Sequence, residues 1–280
     1  MDLRPVDKLI LGYLGFVTLV ILVRGSIVES GNAFLLGMHL LVGALIFLLT
    51  RIQPQHRAGT FLRDLYPLLL LLPLYGEIGV LSTQVGPDLV LAHDATVQRW
   101  EATLFGGQPS FDWIRRSPSV WGSAVFHLAY FAYYTIVVLG PLLLLVRGQR
   151  PAAHRVLFAT MIAFIACYVV FVLYPVAGPY YTFPPPTGPV RDVWAARLVY
   201  GVLSLGSSFG AAFPSSHVAA TVAATLGVWH YWRSLGWAFA GLAILLTVGT
   251  VYCQMHYAVD AIGGVVVGMG AWAVGHRVDA

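Results

Sequence analysis

Two short clusters near the carboxyl end carry the side chains best suited to chemistry: Phe213-Pro214-Ser215-Ser216-His217 and His256-Tyr257-Ala258-Val259-Asp260. Each stands at the mouth of an apolar run, where ionisable groups are costly unless they have a task. His256 and Asp260 are four apart, which on a helix puts both on one face. A carboxylate bonded to one ring nitrogen fixes the tautomer and stabilises the imidazolium, leaving the other nitrogen free to attack. Pro214 fits the first turn of a helix. The amides around Ser215, Ser216 and His217 would then point outward and favour an anion such as phosphate, with the serine hydroxyls as further donors. This suggests divided labour: His256, paired with Asp260, attacks phosphorus, while His217 protonates the leaving oxygen and later activates the acceptor. Phosphoryl transfer otherwise asks mainly for positioning and charge neutralisation.

The elements that must position these groups cross a membrane. The 280 residues are 58% hydrophobic and 10% charged, a balance a soluble domain could not hide from water. Runs long enough to cross a hydrocarbon core predict about eight spans, near 8–24, 33–50, 65–81, 119–146, 156–174, 214–232, 235–252 and 256–275. The fold class expected is therefore all-α, a polytopic membrane helical bundle. The first run, Leu9 to Val23, follows Arg4 and Lys8 as a secretory signal would, but no small-residue cleavage site follows, so it reads as a retained helix. With the amino terminus inside, the inner segments hold Arg4, Lys8, Arg51, Arg57, Arg63, Arg147, Arg150, Arg155, Arg233 and Arg277. The outer ones hold Arg24, Arg99, Arg115, Arg116, Arg191 and Arg197. That bias favours both termini in the cytoplasm. His217 and His256 then enter the membrane from the same outer side, joined by a helical hairpin.

Two outer loops are long. The segment 82–118 contains Leu89, Ala92, Thr96, Val97, Trp100 and Leu104 at helical spacing, with Asp94, Gln98 and Glu101 opposite, and predicts an interfacial helix over about 88–104 ended by Gly106-Gly107. The segment 175–213 is rich in proline, which argues against a regular helix there; it either stiffens a cover over the outer mouth of the bundle or merely connects two helices, and the cover is favoured because the loop runs directly into the motif at 214. His127, Tyr130 and Tyr134 recur at helical spacing on the fourth span and could line a polar cavity, although an aromatic stripe is more often helix packing. Glu77 inside the third span draws notice, unless it lies near enough to the outer interface to be wet. Gly264 and Gly268 form a small-x-x-x-small pattern expected at a close helix contact. Cys167 and Cys253 fall inside or at the end of spans and suggest no disulfide framework.

These motifs carry a resemblance. Pro-Ser-x-His followed about 40 residues later by His-x-x-x-Asp resembles the type 2 phosphatidic acid phosphatase (PAP2) superfamily, and within it the inositol phosphorylceramide synthase-like branch. The resemblance covers roughly residues 85–275 and is specific over 210–264. It implies a six-helix catalytic core, a phosphohistidine on the second histidine (His256), an orienting role for Asp260, and acid and base roles for His217. It divides the chain into amino-terminal helices over 1–64 and a catalytic membrane domain over 65–280. Departures are informative. Ser216 stands where the phosphatases have glycine, Gly249 and Thr250 where they have Ser-Arg, and Gly178-Pro179-Tyr180 near where a Lys-bearing motif belongs. The absent cations tilt the reading toward headgroup transfer, with Arg191 or Arg197 of the outer loop, and Tyr180, as substitute phosphate contacts.

The expected substrate is a phospholipid or lipid phosphate reached from the outer leaflet, with no cofactor required by the chemistry. A zinc site of His217, His256 and Asp260 lacks a close ligand spacing such as His-Glu-x-x-His. Scattered arginines argue against a nucleic-acid partner despite a net charge of +4. The acceptor stays open between a lipid hydroxyl and water. A proton-coupled transporter would use the same His and Asp, but predicts broken helices in two related halves, and no such symmetry is visible.

Overall fold

The computed structural model describes residues 3–24, 30–52 and 57–278. Among these residues the regular structure is helical, with no strand. In order come α1 (Pro5–Val23), α2 (Ser30–Leu49), α3 (Arg57–Val85), α4 (Pro87–Phe105), α5 (Pro109–Arg116), α6 (Val120–Val146), α7 (Arg150–Leu173), α8 (Pro179–Thr182), α9 (Pro189–Asp192), α10 (Trp194–Gly206), α11 (Ser216–Tyr231), α12 (Arg233–Tyr252) and α13 (Ala258–Gly275). Among the described residues, 7 helices are long and apolar enough to cross a membrane: α1, α2, α3, α6, α7, α12 and α13. The remaining expected span, 214–232, is α11. At 16 residues it covers about 24 Å, short of a hydrocarbon core.

The shortness of α11 is tolerable because lipid hardly sees it. It packs against α7, α13, α12 and α6, and Ala219, Ala220, Ala223 and Ala224 are fully buried. Small side chains on both partners let the backbones close up. A Cβ added at Gly264 would stand 2.6 Å from the Ser215 carbonyl oxygen, and one at Gly268 would strike the Ala219 carbonyl. Backbone cannot yield as a flexible side chain can, so Gly268→Leu should destabilise the fold by about 3 kcal/mol or more. A lowered melting temperature in lipid nanodiscs, with activity per folded molecule unchanged at α12 control sites such as Trp237→Leu, checks this.

The spans alternate in direction, so both ends of the described chain lie at one end of the bundle. There the Arg4 guanidinium reaches Asp64 of α3, Arg150 and His154 of α7 reach the same carboxylate, and Gly275 abuts Ala159. His217 and His256 open their helices at the opposite end. Glu77 is not wet. It is buried and pairs with His39 of α2 at 2.9 Å, while the other ring nitrogen of His39 meets Thr18 of α1 at 2.8 Å. A polar link of this kind ties three spans together where a lone carboxylate would be costly.

Two loop expectations need correction. The segment 175–213 holds more helix than its prolines suggest: two single turns, α8 and α9, each start with proline at the position where its missing N–H costs nothing, and α10 runs 13 residues after the last of them. The helix expected over about 88–104 is α4, whose polar side packs against protein, and Val97, placed on the apolar side, is buried with it. Val90, Asp94, Val97 and Glu101 are buried, while Leu89, Trp100 and Leu104 are exposed. Its carboxylates face protein because protein supplies their hydrogen bonds, as described next.

Candidate active site

The site is assembled by backbone hydrogen bonds between segments far apart in sequence. The end of α7 is tied to the stretch ahead of α11 by Val176 N–H to the Gly210 carbonyl and Ala212 N–H to the Val176 carbonyl, both 3.1 Å. The Ser215 N–H then donates to the Asp260 carbonyl at 3.0 Å. That one bond sets the mouth of α11 beside the mouth of α13.

Pro214 does not occupy the first turn of α11. It follows a cis peptide bond, and Ser215 is the N-cap, its hydroxyl accepting from Val218 N–H at 3.3 Å. The Ser215 side chain is therefore used to start the helix, and Ser215 is fully buried. Ser216 lines a cavity with His217. His256 and Asp260 likewise do not share a helical face. His256 precedes α13, whose N-cap is Tyr257, and Asp260 sits in the first turn. One carboxylate oxygen, Oδ2, accepts from Tyr257 N–H at 2.9 Å and lies 3.4 Å from His256 Nδ1. The pair meets by folding the chain back over the helix start. The contact lacks hydrogen-bond alignment, a looseness common in catalytic pairs without substrate.

The two imidazole rings are 5.6 Å apart. His217 is packed between Tyr130 and Tyr133, with the Tyr130 hydroxyl 3.3 Å from its Nε2. Both histidines line a small chamber of about 40 Å³, with Tyr75, Tyr130, Tyr180, Tyr181 and Ser208 among its walls. A second, larger cavity of about 320 Å³ reaches His217 from the side, between Leu71, Leu72, Tyr134, Phe164, Tyr168 and Leu205. Leu72 and Leu205 at its rim are 77% and 90% exposed, so this groove opens where lipid would stand. His217 is where the apolar groove meets the polar chamber.

Of the predicted contacts, the structure brings His217, His256, Ser216, Tyr134 and Tyr180 to the walls of these cavities, with Asp260 buried behind His256, and not the others. His127 is buried behind them, its Nδ1 2.7 Å from its own helix at the Ser123 carbonyl and its ring against Tyr200. Arg191 lies over the Tyr200 ring, 3.6 Å from its centroid, and Arg197 is exposed. Neither arginine lines the chamber. Among the described residues no three His, Cys, Asp or Glu side chains are grouped to hold a metal ion.

Sequence reasoning missed the frame that holds His256. Its N–H and that of Met255 both donate to the Thr250 carbonyl, at 3.0 and 2.9 Å, which sets the turn out of α12. Gln254 in that turn has φ 60. Its amide reaches the Pro179 and Pro184 carbonyls at 3.2 and 3.1 Å, and its oxygen accepts from Arg115 at 2.7 Å. Arg115 itself donates to Pro184, so the proline-rich loop is pinned over the histidine loop. On the other flank the Asp94 carboxylate accepts from the Tyr257 hydroxyl at 2.8 Å and from Gly178 N–H at 2.7 Å. Gly178 has φ +87 and a Cβ there would meet Ala212 at 2.7 Å, so only glycine fits. Glu101 accepts from Ser110 and, at 3.4 Å, from Val259 N–H at the start of α13. Burial pushes the Glu101 carboxyl above the usual range, against these donors. The signal was present in the i, i+4, i+7, i+11 spacing of Val90, Asp94, Val97 and Glu101, which defines one buried stripe.

No curated protein and no solved structure matches the chain. A model of the PAP2 superfamily matches residues 95–274, well over half of the chain and all of the frame just described except Val90 and Asp94. With the paired histidines and the carboxylate inside the matched region, the chain belongs to the PAP2 superfamily.

Proposed function

We propose that this protein is a membrane-embedded lipid phosphotransferase or phosphatase that works through a phosphohistidine on His256. The observation that carries the reading is the pair of imidazoles 5.6 Å apart, in a chamber entered from lipid through the groove at His217. Asp260 Oδ2 faces Nδ1 of His256, leaving Nε2 to attack phosphorus. The P–O bond to the leaving group breaks as His217 gives that oxygen a proton. His217 then takes the proton of an acceptor hydroxyl, whose oxygen displaces the imidazole and restores the enzyme. The acyl or sphingoid chains of the substrate lie in the 320 Å³ groove.

Headgroup transfer of the inositol phosphorylceramide synthase kind is favoured over hydrolysis by two features. Among the described residues the chamber lining contains no lysine or arginine, which suits a singly charged phosphodiester better than a doubly charged monoester. The pinned proline-rich loop also supplies Tyr180 and Tyr181 to the chamber wall, and exclusion of water by that loop would favour transfer. The distribution of arginines supports an outward-facing site with both termini cytoplasmic, and residues 65–280 are assigned as the catalytic unit. Incubating the purified protein with labelled phosphatidic acid, and separately with phosphatidylinositol plus ceramide, separates the acceptors. A new phospholipid marks transfer, free phosphate marks hydrolysis, and neither product from a folded enzyme refutes the reading.

The site also has a predicted pH signature. Burial pushes the His256 imidazole down to about 4, with the Ala212 carbonyl pulling against it. Since only the neutral ring attacks, the acid limb of kcat/KM should lie near pH 4, and the rate should fall about tenfold per pH unit below it. A limb at the ordinary histidine value would mean that the nucleophile is not this buried ring.

A further inference from the structure

At the end of the bundle away from the histidines, the starts of α1, α3 and α7 surround a cavity of about 210 Å³ lined by Arg4, Ile52, Thr60, Arg63, Asp64, Arg150 and His154. The charges do not cancel. Asp64 is shared among Arg150 at 2.9 Å, His154 at 2.8 Å and Arg4 at 3.7 Å. Asp7 is taken up by the Tyr66 hydroxyl at 2.5 Å and by Arg4. Three guanidiniums thus face two carboxylates. The Arg63 side chain has no partner among the described residues, and the buried Nε of Arg4 is also without one. Three helix amino termini add positive potential to the same spot.

Topology alone does not require this arrangement. Arginines that only set orientation are solvated singly, as the exposed Arg233 is at the same end, whereas here they converge on one half-open cavity. We propose that this cavity binds one phosphate-bearing anion, distinct from the substrate, with Arg63 and Arg150 as its principal ligands and Arg4 behind them. Guanidiniums match phosphate oxygens in pairs. The position at a membrane boundary lets the phosphate come either from an anionic lipid headgroup or from solution. The inference does not rest on the proposed activity, since none of its residues touches the histidine chamber.

The test uses the full chain in phosphatidylcholine nanodiscs, with thermal stability followed as sodium phosphate replaces sodium chloride at constant ionic strength. A second series replaces phosphatidylcholine with phosphatidylglycerol. Wild type should be stabilised saturably in at least one series: response to phosphate identifies a free anion, and response to phosphatidylglycerol alone identifies a headgroup. Arg63→Gln, which breaks no hydrogen bond within the described residues, should raise the half-saturating amount about 10-fold or more. Arg150→Gln should do the same, and Arg233→Gln should leave it unchanged. Silence of wild type in both series, equal titration of Arg63→Gln and Arg150→Gln with wild type, or an equal loss in Arg233→Gln would each overturn the proposal.

Discussion

His256→Gln should lower turnover by at least about 10⁴-fold while leaving the melting temperature within about a degree, an outcome in keeping with an isosteric change at a single site. Glutamine keeps the backbone N–H that donates to the Thr250 carbonyl, and its amide fills much of the same buried space. What it loses is a nucleophilic nitrogen. Quenching wild type during turnover on labelled substrate should trap an acid-labile, base-stable phosphate on His256, and the variant should trap none. If His256→Gln retains a tenth of the activity, the attacking group lies elsewhere. His217→Gln should stop turnover too. Its phosphohistidine should still form from an activated substrate whose leaving group needs no proton, because the loss falls on acid and base roles rather than on attack.

Asp260→Asn should separate orientation from folding. The carboxylate serves two partners through one oxygen: it caps α13 by accepting from Tyr257 N–H at 2.9 Å and faces His256 Nδ1 at 3.4 Å. An asparagine oxygen can keep the cap, so the fold should lose less than about 1 kcal/mol. That same oxygen still faces Nδ1, but the imidazolium formed on attack loses its counter-charge, so turnover should fall by about 10³-fold or more. Asp260→Ala should lose the rate and the cap together. Equal melting temperatures for Asn and Ala, with equal rates, would show that the carboxylate neither caps nor orients.

Much of this was legible in the sequence where a single segment decides the matter. Apolar run length gave the spans, since a membrane crossing is a local property, and the glycines at 264 and 268 announced the close contact of α13 with α11. The histidines were legible because residues of that type have few reasons to open two such helices. What failed were inferences about direction. Helical spacing joined His256 to Asp260, yet the chain turns at Tyr257 and the two meet around a cap. Amphipathic patterning set Asp94 and Glu101 opposite the apolar residues but could not name what they meet, since their partners, Tyr257, Gly178, Ser110 and Val259, come from segments up to 163 residues away. Loop arginines were chosen as phosphate contacts by charge alone. Arg191 instead spends its guanidinium on the Tyr200 ring.

The two faces of α4 have a consequence for how such a protein is handled. Its leucines and Trp100 point away from the bundle, while the opposite side grips the turn that carries His256 through Tyr257. Annular lipid against those exposed side chains would be the outermost support of that turn. On the proposed function, exchanging it for detergent tails of different length and packing should alter turnover, a property then of protein and membrane jointly.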